Sequence, residues 1–306
     1  MRRPAGTELE TRFNFIYWRV RINGLNAQGF VREDAVEAII ADRATTGRAE
    51  PTRDMVKAAA DIEAYGHCII PDVLSGEALA RVRDALYRAA EEDRRRGREQ
   101  KFRLDYPHDE TNQRVWNLLS RDPVFSDLVE HPLSLEMVKS VIGWPALLGN
   151  ISANITGPGG GEMVMHADQI SMPEPWPAKP QGVNVAWCVD DFTDETGATR
   201  IVPGSHIKRR NPTPEEAKMD SVPLEAPAGS MIVMESRLWH KTGHNRTKDG
   251  TRAGIFAWHT RPIYRQQENW YLSLNPAVRQ FASDTMLVLL GYRTQGLGMV
   301  NGKSPA

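Results

Sequence analysis

Leu147–Thr156 (LLGNISANIT), Gly182–Asp190 (GVNVAWCVD), Ser230–Glu235 (SMIVME) and Arg252–Thr260 (RAGIFAWHT) are the stretches that decide the fold. Each is a short β-like run, and Gly, Pro and Asp separate one from the next. Met163–Asp168 and Thr199–Val202 have the same texture. Short strands punctuated by turn signals predict an antiparallel sandwich or barrel. No helix-length segment alternates with them, which disfavours a parallel α/β sheet.

Upstream the texture is helical. Asp54–Tyr65 reads as a helix that Gly66 closes in a left-handed conformation, and His67–Pro71 (HCIIP) as a short apolar strand. Ser75 is the expected N-cap of a helix from Gly76 to about Arg96, with Leu79, Val82, Leu86 and Ala90 on one face. Val115–Leu119 and Val124–Ile142 carry two further helical patterns. Before residue 50, Thr11–Asn23 alternates like a strand or extended arm, and Arg32–Arg43 has helical spacing. The expected architecture is mainly β with a helical N-terminal half: a jelly-roll core over about 145–262, flanked by α-helices. Residues 51–306 form a single domain in this reading. Residues 1–50 form an N-terminal arm and helix, a candidate homodimer interface.

Composition sets limits on partners. Among 306 residues, 38 Lys and Arg nearly balance 39 Asp and Glu, which argues against a general nucleic-acid or anionic-membrane binder. Two cysteines, Cys68 and Cys188, make no disulfide scaffold and suit a reducing compartment. No apolar run approaches the ~20 residues needed to cross a bilayer, and the first residues carry no apolar signal core. A soluble, cytoplasmic chain acting on a small molecule, without nucleic acid or membrane, is expected.

Met165-His166-Ala167-Asp168 carries the strongest chemical signal. On a strand, residues two apart share a face, so an imidazole and a carboxylate can hold one metal from a rigid edge. The third ligand comes from His206, His240, His244 or His259. His240 is preferred because it follows the apolar strand Met231–Met234 and precedes Arg252 at the head of the next β run. His206 reads as a turn residue, His244 as exposed, and His259 as an ordinary strand histidine. Two histidines and one carboxylate on one face of an octahedral metal leave three sites open, which suits Fe(II) chemistry with O2 and a bidentate cosubstrate. A chelating 2-oxoacid needs a counter-charge for its distal carboxylate; Arg252 suits that pairing, and Thr242 can donate to the same group.

Four ordered motifs now resemble a known family. They are Met163–Asp168, Asp190–Arg200 (DDFTDETGATR), Val202–His206 (VPGSH) and Trp239-His240…Asn245…Arg252. Together with Gly66…Pro71…Leu74-Ser75 and Asn117–Leu119, they make residues 64–292 similar to the phytanoyl-CoA hydroxylase-like family. The wording is nearest to its natural-product oxygenase branch. The resemblance implies a double-stranded β-helix (jelly-roll, cupin-like) and Fe(II)- and 2-oxoglutarate-dependent dioxygenase activity. It implies His166, Asp168 and His240 as iron ligands and Arg252 and Thr242 as the 2-oxoglutarate anchor. Thr199 and Asn154 are further cosubstrate candidates, and Trp187 a residue lining the same cavity. Val164 stands where the natural-product branch often has glutamine, and Met165 where acyl-CoA members often have tryptophan, so both departures concern the substrate. Asp168 favours oxygenation over halogenation, since related halogenases replace this carboxylate by a small residue.

The implied reaction hydroxylates an unactivated C–H bond of a small or medium hydrophobic metabolite, with succinate and CO2 as coproducts. Alternatives are an acyl-CoA hydroxylase of the same family, a Zn-dependent hydrolase or isomerase on a jelly-roll, and a catalytically silent binding module. Arg94–Arg98 and Lys208–Arg210 are the basic clusters an acyl-CoA would call on, though both read as solvated surface. Trp116, Trp176 and Trp239 would suit a hydrophobic substrate, and Ser171–Pro180 would suit a lid. Gly157–Gly161 (GPGGG) lacks the Gly-Lys-Ser/Thr of a phosphate loop. Ser205-His206 lacks a nucleophile elbow.

Overall fold

The strands alternate two kinds of side chain, and that alternation builds two antiparallel sheets. A computed structural model describes residues 48–98, 100–101, 111–294 and 296–306. The arm over Thr11–Asn23 and the helix over Arg32–Arg43 lie outside the described residues. The large sheet has seven strands: β1 (His67–Ile70), β2 (Gln100–Lys101), β3 (Asn112–Val115), β4 (Leu147–Thr156), β5 (Gly182–Cys188), β8 (Met231–Glu235) and β10 (Arg252–Thr260). They lie in the order β1-β8-β5-β10-β4-β3-β2. The small sheet orders β7 (Val222–Pro223), β6 (Thr199–Ile201) and β9 (His240–Thr242).

On the large sheet, Val183, Val185 and Trp187 of β5, Ala253, Ile255 and Ala257 of β10, and Ala153 and Ile155 of β4 point one way. They join one apolar core with α1 (Met55–Tyr65), α2 (Gly76–Arg95), α3 (Val124–Val129) and α4 (Pro132–Ile142). The C-terminal helices α5 (Trp270–Ser273), α6 (Pro276–Gln280) and α7 (Asp284–Leu289) pack on it as well. The opposite face looks into the space between the sheets. There Ala186, Cys188, Ile232, Met234 and Phe192 meet Ala198, Ile201 and Leu224. Along β4 that same face is polar, with Asn150, Ser152, Asn154 and Thr156 buried, and the buried Arg252 of β10 joins them. Period-two alternation thus splits one sheet into a packing face and a functional face.

Local chemistry sets the helix ends. Asp54 caps α1 by accepting from the Val56 and Lys57 amides, and Gly66 closes it at φ 80°. Ser75 sits at the start of α2 in extended conformation without a side-chain cap bond, so the expected cap is there in position only. Two helical expectations change. Val115–Leu119 is not a helix: β3 ends at Val115, Asn117 takes φ 54°, and a 3-10 turn covers Leu118–Ser120. Val124–Ile142 divides into α3 and α4, because Pro132 begins a new helix whose N-cap is His131. Three of the four arginines in the Arg94–Arg98 cluster pair locally: Arg94 with Glu91, Arg96 with Glu92 and Arg98 with Asp93.

Two fully buried histidines tie stability to pH. The His67 ring accepts from the Ala49 amide through Nε2 and donates through Nδ1 to the Tyr65 carbonyl, which locks it neutral. His259 donates to the Ala257 carbonyl inside the fold. Burial pushes both down to about 4. Between that value and the unfolded value of about 6.5 the unfolded chain binds more protons, so stability is full above 6.5 and falls on acidification. Each histidine contributes a slope of up to about 1.4 kcal/mol per pH unit in that window. Urea midpoints should drop steadily from pH 6.5 to 4.5, and His259→Gln should flatten part of that drop.

Candidate active site

The site forms where the segment before Asp168 runs beside the small sheet. His166 and His240 make an antiparallel bridge: the His166 amide donates to the His240 carbonyl (3.0 Å) and the reverse bond is 2.8 Å. Met163 extends the pairing through its amide to the Thr242 carbonyl (3.2 Å). The expected strand over Met163–Asp168 is therefore only a short bridge, and Asp168 opens a 3-10 turn over Asp168–Ser171. The two residues still converge. One ligand atom from each of His166, Asp168 and His240 lies within 4.8 Å of the others. Asp168 Oδ1 is 3.9 Å from His166 Nε2 and 3.6 Å from His240 Nε2.

The protonation pattern suits a cation. His166 Nδ1 donates to the Val164 carbonyl (2.9 Å) and His240 Nδ1 to the Leu238 carbonyl (3.0 Å). A carbonyl only accepts, so both Nδ1 atoms carry the proton and both Nε2 lone pairs face Asp168. Burial, then the neighbouring His240, pushes His166 down to about 4, which keeps the ring in its ligating form at neutral pH. Asn184 of β5 donates to Asp168 Oδ2 (3.1 Å), which turns Oδ1 toward the imidazoles. The three side chains remain 28, 21 and 12% exposed, so a metal can reach them.

Arg252 lies deeper, at the head of β10, and is fully buried. Its Nη2 donates to the Gly197 carbonyl (2.7 Å) and its guanidinium stacks on Phe192 at 4.7 Å. Gly197 presents that carbonyl from a turn at φ 79°, where a Cβ would lie 2.7 Å from the Gly243 carbonyl oxygen. Arg252 Nε and Nη1 have no partner. Burial lowers its pKa to about 10, yet it stays charged at neutral pH. A buried cation with unpaired donors costs several kcal/mol unless an anion meets it. That is the character of a carboxylate site. Asn245 secures the approach, bonding the Thr156 and Gly250 carbonyls across the β9–β10 turn (3.0 and 2.9 Å).

The remaining expected residues divide. Thr199 pairs with Thr242 across β6 and β9, and both share the face of Ile201 and His240. The Thr242 hydroxyl has only the Met163 sulfur as acceptor (3.1 Å), a weak partner that a carboxylate can replace. Asn154 lies on the inward face of β4, opposite Gly254. Its amide donates to Thr156 Oγ1 (3.3 Å) and its carbonyl oxygen has no donor, so as placed it offers an acceptor rather than a carboxylate contact. Trp187 requires a correction. Strand alternation turns its indole into the helix-facing core, 5.3 Å from the His131 ring and away from Asn184 and Asp168. Trp176 and Trp239 also leave the cavity; they bury against Met165, Ala167 and Met172, with indole N–H groups on the Met172 and Arg210 carbonyls. Ser171–Pro180 is no free lid, since Trp176 and Arg209 exchange backbone-directed bonds of 2.9 and 2.6 Å.

Sequence reading missed Asn184 and Arg114. Asn184 stands three residues before Trp187 in an apolar strand, and a lone amide there was the available signal. Arg114 of β3 pairs with Asn154, and its charge depresses both His166 and Arg252, so it borders both halves of the site. His206, expected as a turn residue, is in a 3-10 turn but buried, with Nε2 on the Glu63 carbonyl.

Two antiparallel sheets enclosing a His-x-Asp…His triad and a buried arginine define an Fe(II)- and 2-oxoglutarate-dependent dioxygenase. The sequence profile of the phytanoyl-CoA dioxygenase (PhyH) family matches residues 62–254, and the chain belongs to that family. Dioxygenase af480 of Aspergillus fumigatus is 35% identical over 252 residues, covering 80% of this chain and 81% of that protein. An uncharacterized protein, Mb1539 of Mycobacterium bovis, is 30% identical over 223 residues, 71% of this chain and 79% of its own. The same fold recurs in the α-ketoglutarate-dependent carbocyclase SnoK of nogalamycin biosynthesis (TM-score 0.57, 19% identity, 69% of this chain and 87% of that one). It recurs too in HygX of Streptomyces hygroscopicus, solved with nickel, 2-oxoglutarate and hygromycin B (TM-score 0.55, 17% identity, 70% and 89%).

Asn184→Leu should weaken Fe(II) binding by roughly 10–100-fold while leaving the fold intact. Metal titration followed by circular dichroism checks both parts.

Proposed function

We propose that the chain hydroxylates an unactivated C–H bond of a small or medium hydrophobic metabolite, within the natural-product branch of its family. The balance is substrate, O2 and 2-oxoglutarate giving hydroxylated product, succinate and CO2. The single observation that carries this reading is the buried Arg252 guanidinium with Nε and Nη1 unpaired, which Arg114 links to a ready metal triad by acting on both His166 and Arg252.

His166, Asp168 and His240 would hold Fe(II), and Arg252 and Thr242 the distal carboxylate of 2-oxoglutarate. Fe(II) chelated by 2-oxoglutarate supplies O2 activation coupled to oxidative decarboxylation. The chain's own residues do the rest. Arg252 fixes the cosubstrate in one orientation through a geometry that lysine cannot copy. Thr199 keeps the Thr242 strand edge in register. Asn184 holds Asp168 so that one carboxylate oxygen faces the metal. The enclosing sheets position the C–H bond and exclude water from the reactive centre.

Solved structures of the same fold support a small-molecule substrate. HygX has been solved with hygromycin B, and SnoN with nogalamycin RO, both small molecules. An acyl-CoA has less support, because the basic clusters are already paired: Lys208 and Arg210 share Glu216 (2.7 and 2.6 Å). A homodimer and a cytoplasmic setting are part of the same proposal; among the described residues no helix is long and apolar enough to cross a membrane.

With Fe(II) and a metabolite panel, O2 uptake should require 2-oxoglutarate, and mass spectrometry should find a product gaining one oxygen atom alongside equimolar succinate. Asp168→Ala and His240→Ala should each abolish succinate formation. Turnover of a substrate with no O2 uptake would instead favour a Zn-dependent hydrolase, which leaves Arg252 without an anion.

A further inference from the structure

One aromatic side chain on the functional face has no part in holding metal or cosubstrate. Trp258 of β10 points between the sheets, flanked across the strands by Asn150 of β4 and Asn184 of β5. Two glycines clear its seat. A Cβ on Gly149 would lie 2.3 Å from Trp258 Cε3, and one on Gly182 would lie 3.1 Å from Nε1. The indole therefore lies across both neighbouring strands: a side chain at 149 would collide with its ring, and one at 182 would collide with Ser236 Oγ (2.6 Å) and crowd Nε1.

The ring is also pinned. Trp258 Nε1 donates to Ser236 Oγ (2.9 Å), and the Ser236 carbonyl accepts from the Gln169 amide (2.9 Å), in the turn that begins with Asp168. One residue thus ties the indole to the ligand turn. Unlike Trp187 and Trp239, Trp258 stays partly exposed, and so does Phe256 two positions along the same face. The neighbours supply polarity. Asn150 donates to Gln267, and Asn184, about nine-tenths buried, has a side-chain oxygen without a donor.

We propose that Trp258 is the stacking platform of the substrate site, and that the substrate presents to it a flat ring system carrying a hydroxyl group at its edge. This rests on the dioxygenase reading above and narrows its substrate. A preset aromatic face loses no side-chain freedom on binding and favours a ring over a flexible chain of equal apolar area. The unpaired Asn184 oxygen selects a hydroxyl donor and would draw the ring's edge toward the carboxylate that Asn184 itself holds.

Equilibrium dialysis with three probes tests the platform: 2-naphthol, its methyl ether 2-methoxynaphthalene, and decanoic acid. It is run on the full chain without iron, so the outcome is independent of the metal chemistry. The wild-type chain should bind 2-naphthol more tightly than either other probe. Trp258→Phe should keep affinity within about threefold. Trp258→Leu, which fills the seat without a π-face, should weaken 2-naphthol by at least about tenfold, equivalent to about 1.4 kcal/mol. Near-UV circular dichroism confirms that both variants fold, and Trp258→Tyr replaces Trp258→Phe if the latter does not. Equal binding by Trp258→Leu and wild type, tighter binding of decanoic acid, or no 2-naphthol binding at all would overturn the proposal. A chain that binds 2-naphthol as described yet never consumes O2 would contradict the dioxygenase reading and leave the platform standing.

Discussion

The reciprocal backbone bridge between His166 and His240 is the constraint on which the site depends. Two short hydrogen bonds set two imidazoles side by side, ring centroids 4.5 Å apart, before any metal arrives. Each ring is then oriented by its own strand, through the carbonyl two residues earlier, so no distant side chain is needed to choose the tautomer. Asp168 completes the triad from the first residue of a turn, and Asn184 reaches across from the large sheet to aim it. The triad is thus a joint product of both sheets. A change in their separation would move Asp168 against the histidines.

The same two-sheet arrangement explains where polarity is tolerated. The large sheet packs its helices with one face and turns Asn150, Asn154, Asn184 and Arg252 inward on the other. Buried amides and an incompletely paired guanidinium are destabilising in an empty interior. Their concentration on one face, next to the triad, marks that face as built for ligands. Arg252 is the extreme case: an aromatic ring, one carbonyl and nothing for two of its nitrogens.

Much of this was legible in the sequence, for identifiable reasons. Apolar runs punctuated by turn residues located β4, β5, β8 and β10, because strands buried on both faces stand out as short, weakly polar segments between turns. The His166, Asp168 and His240 set was legible because its spacing is local and its residue types are few. Trp187 was misjudged because a motif gives a residue's neighbourhood and not its side of the sheet; only register shows that it alternates with Asn184 onto the helix side. Trp176 and Trp239 lie outside the strands, and loop packing against Met165, Ala167 and Met172 took them into a small core of their own. Asn184 and Arg114 were invisible because their importance comes from cross-strand partners 16 or more residues away. The helix expected over Val115–Leu119 was lost to a left-handed Asn117, which a hydrophobic pattern does not encode.

In the proposed site the triad takes a metal and Arg252 takes a carboxylate at the same time. Anaerobic titration of the wild-type chain with Fe(II) and 2-oxoglutarate, compared with Arg252→Lys, tests it most directly. A weak visible metal-to-ligand band should saturate at one equivalent of each, with 2-oxoglutarate affinity sharply reduced in Arg252→Lys and Fe(II) affinity unchanged. A folded wild-type chain that binds Fe(II) without developing the band, or an Arg252→Lys variant that binds 2-oxoglutarate as tightly as wild type, would contradict it.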